Sequence, residues 1–261
     1  MVEILNLLPK NWNDISLSTY QELKELEEDV ELSNTEFFLE QIAILLDTSS
    51  DDTLFDELDI DELCIIMDSI GWLKNMNFPK PIQTIQSCFK LELKPFNKIT
   101  LGEFIDIEHY IQEPIKNLHI ICSILYRKTK PDEWNNIIFE PYEYNIQQRS
   151  SIFNNLSINL IYSILTEYIN FRTNFMESYK LLFEQENYED DDIEDIDSEL
   201  KGRELIDSKI KNKENQVKQK WSWEGLIWEL SNHDITKFDE IFNSKLIMVF
   251  NTLSMKKSLG V

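Results

Sequence analysis

Residues 184–220 set the strongest limit on how this chain can fold. The first half, "EQENYEDDDIEDIDSEL", holds ten acidic residues and no basic one. The second half, "KGRELIDSKIKNKENQVKQK", holds seven basic residues against three acidic. Neither carries an apolar stripe wide enough to offset the conformational entropy lost on ordering it. The pattern predicts a charged flexible linker over 184–220, with a main domain over 1–183 and a small module over 221–261. The module opens on "WSWEGLIW", which places half of the six tryptophans in eight positions. Three short helices make a marginal core, and large aromatic rings are the side chains that let so small a unit bury enough area.

Elsewhere the periodicity is helical. Only five glycines occur in 261 residues, and 42% of the chain is hydrophobic, so helix breakers are few and core-forming side chains are plentiful. In "SLSTYQELKELEEDV", Leu17, Tyr20, Leu23 and Leu26 mark one face, with Ser18 placed to cap and Gln21 three residues on. "SNTEFFLEQIAILLD" repeats the pattern with Phe38, Ile42 and Leu45, capped by Ser33 or Asn34. "DIDELCIIMDSIGWL" is a third helix, ending near Gly71. The period changes to two in "QSCFKLELKPF", where Phe89, Leu91 and Leu93 alternate with charged residues. That predicts one half-buried strand, its partner sought in "NKIT" or near the N-terminus.

Helix returns at "TLGEFIDIEHYI", where Thr100 and Glu103 make a capping box. "PIKNLHIICSILYRK" follows, with Pro114 at a first helical position and Leu118, Ile121, Cys122 and Leu125 inward. "PDEWNNIIFEPYEYN" is expected as an irregular aromatic connection, and two helices, the second long, fill 146–183. In the small module, "DITKFDEIF" is a short helix capped by Asp234 or Thr236, and "SKLIMVFNTLSMKK" is another. The fold class expected is mainly α, a multi-helix domain with a minor β element, an acidic linker and a small three-helix module.

Catalytic patterns do not emerge. The glycines never cluster into a phosphate loop, CxxC and HExxH do not occur, and His109, His119 and His233 lack metal-ligand spacing. Asp195, Asp197 and Glu199 alternate as in a calcium loop. Leu200 stands where a sharp turn wants Gly, and Ile206 where a closing Glu is needed. Carboxylate pairs such as Asp59/Asp61 and Asp106/Glu108 are expected by chance among 48 acidic residues. The expectation is a protein that is not an enzyme, with no cofactor and no metal. Cys64, Cys88 and Cys122 sit among apolar neighbours and read as buried thiols in a reducing compartment.

A net charge of −23 repels phosphate backbones, so nucleic acid is not expected as a partner. "MVEILNLLPKNWND" lacks the layout of a signal peptide, and no stretch reaches transmembrane length, which points to the cytoplasm and away from membranes. Basic protein surfaces remain as partners. Trp221 and Trp228 are seven apart and can share an inward face, while Trp223 cannot join them and is expected as the outward anchor. Trp223, Trp221, Trp228 and Phe238 together form the candidate partner-binding set.

The run "ITLGEFIDIEHYI", "NLHIICSILYRK", "EPYEYNIQQRSSIF", "FRTNFMESYKLLF" and "KWSWEGLIWELSNHDITKFDEIF" resembles virion-assembly proteins of tailed bacteriophages. Across residues 10–257 the layout is similar to that of tail-assembly chaperones. The resemblance implies a non-enzymatic phage tail-assembly chaperone in the host bacterial cytoplasm. Its helical part would hold a helical client such as a tape-measure protein, and its extension would recruit tube subunits. A virion structural protein of neck or baseplate is the alternative, and an acidic inhibitor that mimics nucleic acid is another. The composition of 184–220 makes one direct prediction: limited proteolysis cuts there first and leaves a stable fragment near 1–183. Survival of the whole stretch under conditions that cleave elsewhere would overturn the two-unit reading.

Overall fold

The computed structural model describes residues 2–29, 31–50, 55, 58–75, 80–86, 90–141, 146–183, 223 and 225–259. The expected linker 184–220, the calcium-like run, Trp221, Cys88 and Phe89 lie outside them. The chain is mainly helical with a few short antiparallel strands. It divides into two compact units, one of Met1–Lys94 with Ile107–Arg172, the other of Pro95–Asp106 with Thr173–Val261.

In the first unit, α1 (Val2–Leu7) leads to α2 (Leu17–Glu28) and α3 (Asn34–Leu46). Leu17, Tyr20 and Leu23 of α2 and Phe38, Ile42 and Leu45 of α3 are buried, as their helical spacing requires. The cap of α2 is Ser16, not Ser18, because its hydroxyl accepts from the Thr19 amide at 3.1 Å. The cause is tertiary: Ser16 bridges to Ser157, and the Leu17 and Ile158 amides donate across to the other segment. Ser33 caps α3 in a full box with Glu36. α4 (Ile60–Ser69) starts at a second full box, Asp59 with Glu62, and this accounts for the Asp59 carboxylate. Trp12 lies edge-on to Tyr20 and Trp72 at 5.7 and 5.1 Å and donates from Nε1 to the Asn75 carbonyl, which fixes the turn after α4.

The expected strand is present as β2 (Lys90–Leu93), with Leu91 wholly buried. Its partners are β1 (Thr84–Gln86) and, in order β1-β2-β3, the two-residue β3 (Tyr126–Arg127). Neither "NKIT" nor the N-terminus supplies a partner strand. α5 (Leu101–Tyr110) opens on the predicted Thr100–Glu103 box. α6 is shorter than expected, Leu118–Leu125, and Pro114 sits in turns before it rather than at a first helical position. Leu118, Ile121, Cys122, Ile124 and Leu125 are all buried, so α6 is the central element of this unit and packs on α7 (Ile146–Asn154). Burial pushes the Cys122 thiol up, which leaves it protonated and inert. Cys64, by contrast, is exposed. Glu108, buried on α5, accepts from Arg172 Nε at 2.7 and 2.8 Å and from the Tyr168 hydroxyl at 3.1 Å. That carboxylate is a structural ion partner for α8 (Ile158–Ser178).

In the second unit, a Thr100–Lys245 bridge joins the start of α5 to the last helix, Leu246–Leu259. The Leu246 and Leu101 amides donate to the carbonyls of Ile99 and Ser244, each at 2.9 Å. Phe250 is buried against Phe175 at 4.8 Å and Tyr179 at 5.4 Å. Asp234 caps the turn Ile235–Lys237 ahead of Phe238–Phe242. Gly102 is the second residue of α5, where glycine costs up to about 1 kcal/mol relative to alanine. A Cβ there would collide with the Phe242 ring, so the bare backbone makes room for that ring. Gly102→Ala is expected to destabilise by about 1–3 kcal/mol through overpacking, reduced by about 1 kcal/mol of helix propensity. In urea denaturation, Phe242→Ala should remove most of the penalty in the double variant. A Gly102→Ala chain that gained stability would refute this packing.

Candidate protein-interaction surfaces

Of the predicted aromatic set, Trp223, Trp228 and Phe238 are described, all in the second unit, and the two described tryptophans are oriented in reverse of the expectation. Trp223 is half-buried, its ring 5.6 Å from Phe104 in an edge-on contact and 6.4 Å from Phe250. Trp228 is exposed at 43% and meets only the outer rings of His233 at 5.1 Å and Phe238 at 6.2 Å among the described ring contacts. The reason is the choice of core position. Ile227 is buried and Trp223 stands four residues before it, whereas Trp228 is turned about 100° away from Ile227. Phe238 is half-buried beside Trp228. Trp228 is held at the helix end, where its carbonyl accepts from the His233 amide and the Ser231 hydroxyl. Asn232 and His233 take left-handed φ values of 54° and 64°.

A second aromatic surface, which the sequence reading took for an irregular connection, is an ordered hairpin in the first unit. β4 (Thr129–Pro131) pairs antiparallel with β5 (Ile137–Phe139) in the register Thr129↔Phe139, Lys130↔Ile138 and Pro131↔Ile137. Adjacent strand residues point to opposite faces, yet Ile137 and Ile138 are both exposed. The hairpin therefore offers apolar side chains to solvent on both faces, while Phe139 at its base is half-buried. At its tip Trp134 is 79% exposed.

An isolated two-stranded hairpin is marginal in water, so its order must come from its two ends. At the tip, Asp132 Oδ1 accepts from the amides of Trp134 at 2.9 Å and Asn136 at 2.7 Å. Its Oδ2 accepts from Asn136 Nδ2 at 2.9 Å. Asn135 takes the left-handed conformation at φ 66°, which Asn tolerates better than most residues. The bonds from Asn136, and then from Trp134, hold the Asp132 carboxyl below its usual range. At the base, Arg127 donates from Nη1 to the Glu140 carbonyl at 2.8 Å and lies 5.7 Å over the Phe139 ring.

Arg149 anchors the same corner. It is 1% exposed, donates from Nε to the Ser123 carbonyl at 3.0 Å, and pairs through Nη1 with Glu140 Oε1 at 2.9 Å. Burial lowers its affinity for a proton, and the Glu140 carboxylate opposes that shift. Breaking such a buried pair from one side costs about 3–5 kcal/mol, because a desolvated charge is left behind. The sequence carries a signal for Arg149 in its position on α7. It stands four residues before the buried Phe153, and so on the apolar face of α7, where an arginine must find a buried acceptor.

A third surface is the outer face of α4, where Ile60 (78% exposed), Cys64 and Met67 (50%) follow helical spacing. Among the described residues, no group of three or more His, Cys, Asp or Glu is placed to hold a metal, and no helix is long and apolar enough to cross a membrane. His119 is half-buried, and its desolvation lowers its pKa. No family model, no curated protein and no solved structure matches this chain.

The orientation of the rings yields a sharp contrast. Trp223→Ala removes a ring packed on Phe104 and Phe250 and is expected to cost about 2–4 kcal/mol, below the full core value because the site is half-exposed. Trp228→Ala should cost under about 1 kcal/mol. Urea denaturation of the two variants checks this, and equal losses would contradict the described packing.

Proposed function

We propose that this chain is a non-enzymatic assembly factor that binds a protein client, in the manner of the tail-assembly chaperones it resembles. One observation carries the reading: Trp134 stands at the end of a hairpin fixed at both ends, with its ring offered to solvent. A tryptophan so placed contributes little to the stability of its own fold, and exposed aromatics on ordered supports are the residues that dominate protein–protein binding energy. Ile137 and Ile138 add exposed apolar side chains on the two faces of the same hairpin. The client is a helical protein with apolar faces, such as a tape-measure protein, and the charge of −23 keeps the complex in solution. The site of action is then the host cytoplasm during tail assembly.

Co-expression with a tape-measure protein of a tailed bacteriophage, as the helical client, provides the test. Trp134→Ala should change stability by no more than about 0.5 kcal/mol. It should weaken capture of the client by about 2 kcal/mol, roughly thirtyfold. Undiminished capture by Trp134→Ala would sink the hairpin as the binding element. Recovery of the chain from purified particles at fixed copy number would favour a permanent virion subunit over a chaperone.

A further inference from the structure

The last helix, Leu246–Leu259, is apolar on two opposite sides. Leu246, Val249 and Phe250 face inward and are buried. On the other side Met248 is 62% exposed, Met255 58% and Leu259 68%, with exposed Thr252 between them. The positions 248, 252, 255 and 259 are spaced four, three and four, which is the a/d repeat of a helix–helix seam. Thr252 does not interrupt it, since its hydroxyl is already bonded to the Met248 carbonyl at 2.9 Å. The seam spans about three turns at the helical rise, about 17 Å.

The charge beside this seam is opposite to that of the chain. Lys245 and Lys256 border it along one edge, Lys257 lies on the opposite side of the helix, and no acidic residue occurs from 245 to 259 in a protein of net charge −23. We propose that this stripe docks an α-helix of another protein whose own apolar seam is flanked by acidic residues. Spacing selects a helix as the occupant, because knobs from an a/d row fit the holes of a facing helix. Charge selects its edges, since lysines bordering the seam favour carboxylates and reject cations. A second copy fits less well: it would bring an identical lysine border and another −23 charges. The chain's own acidic run 184–200 has the right charge, but Ile193, Ile196 and Leu200 make only a short seam. This surface is independent of Trp134.

Two synthetic eighteen-residue helices test the proposal, both with Leu at a and d positions, one with Glu and one with Lys at the flanks. Fluorescence anisotropy with the full chain should show saturable binding of the Glu-flanked peptide, about tenfold or more tighter than the Lys-flanked one, and weakening with salt. Met255→Lys should abolish binding without lowering the melting temperature, and Lys256→Glu should narrow or reverse the preference. Trp134→Ala should leave this binding unchanged, which separates failure here from failure of the hairpin reading. Equal affinity for the two peptides, or none for either, overturns the proposal. So does a dimer in sedimentation that Met255→Lys dissociates, which would assign the stripe to a second copy. Binding that emerges only after neutralising the carboxylates of 190–197 would assign it to the chain's own segment.

Discussion

The guanidinium of Arg149 is taken out of water and tied to two places at once, the end of α6 and the base of the β4–β5 hairpin. A charge with 1% exposure is tolerated only if its donors are met, so its partners are as constrained as it is. Ser123 must present its carbonyl, which sets the last turn of α6. Glu140 must turn its carboxylate inward, which aligns the end of β5. Arg127 completes the corner by holding the Glu140 backbone. The hairpin is mostly exposed among the described residues, so it takes its order from this corner and from the Asp132 turn. The position of Trp134 follows from both.

Acidity and exposed apolar surface serve opposite ends in this protein. A chain that displays Trp134, Ile137, Met248 and Ile60 to water would tend to self-associate if it were neutral. A net charge of −23 opposes that association while leaving each patch open to a partner of suitable shape. Fixed caps, such as the Asp59–Glu62 and Ser33–Glu36 boxes, spend some of the carboxylates on helix ends, and Glu108 and Glu140 spend two more on arginines.

The readable parts of the sequence were those decided within one turn or one strand. Phe38, Ile42 and Leu45 declared their buried face, the Thr100–Glu103 box declared its helix start, and Leu91 declared the strand. Misreadings arose where a distant segment made the choice. Ser16 rather than Ser18 caps α2 because Ser157 lies across from it. "TKPDEWNNIIF" carries turn residues between two paired triplets, but a hairpin that exposes Ile137 and Ile138 on opposite faces lacks the alternation that reveals a strand. The tryptophans were assigned by their own spacing, whereas the buried Ile227 set the inward direction and brought Trp223 with it.

By itself the sequence determined helix class, caps, the charge balance and the break in apolar periodicity at 184–220, since these depend on neighbours a few residues apart. Tertiary structure alone decided that Pro95–Asp106 belongs with the segment from Thr173 onward. It also decided that Gly102 yields space to Phe242, and that Arg149 is a core residue rather than a surface one. It left one apolar side of the last helix uncovered among the described residues. Periodicity marks which side chains can share a face. Whether that face is buried depends on what the rest of the chain brings against it, and that is a property of packing at long sequence separation.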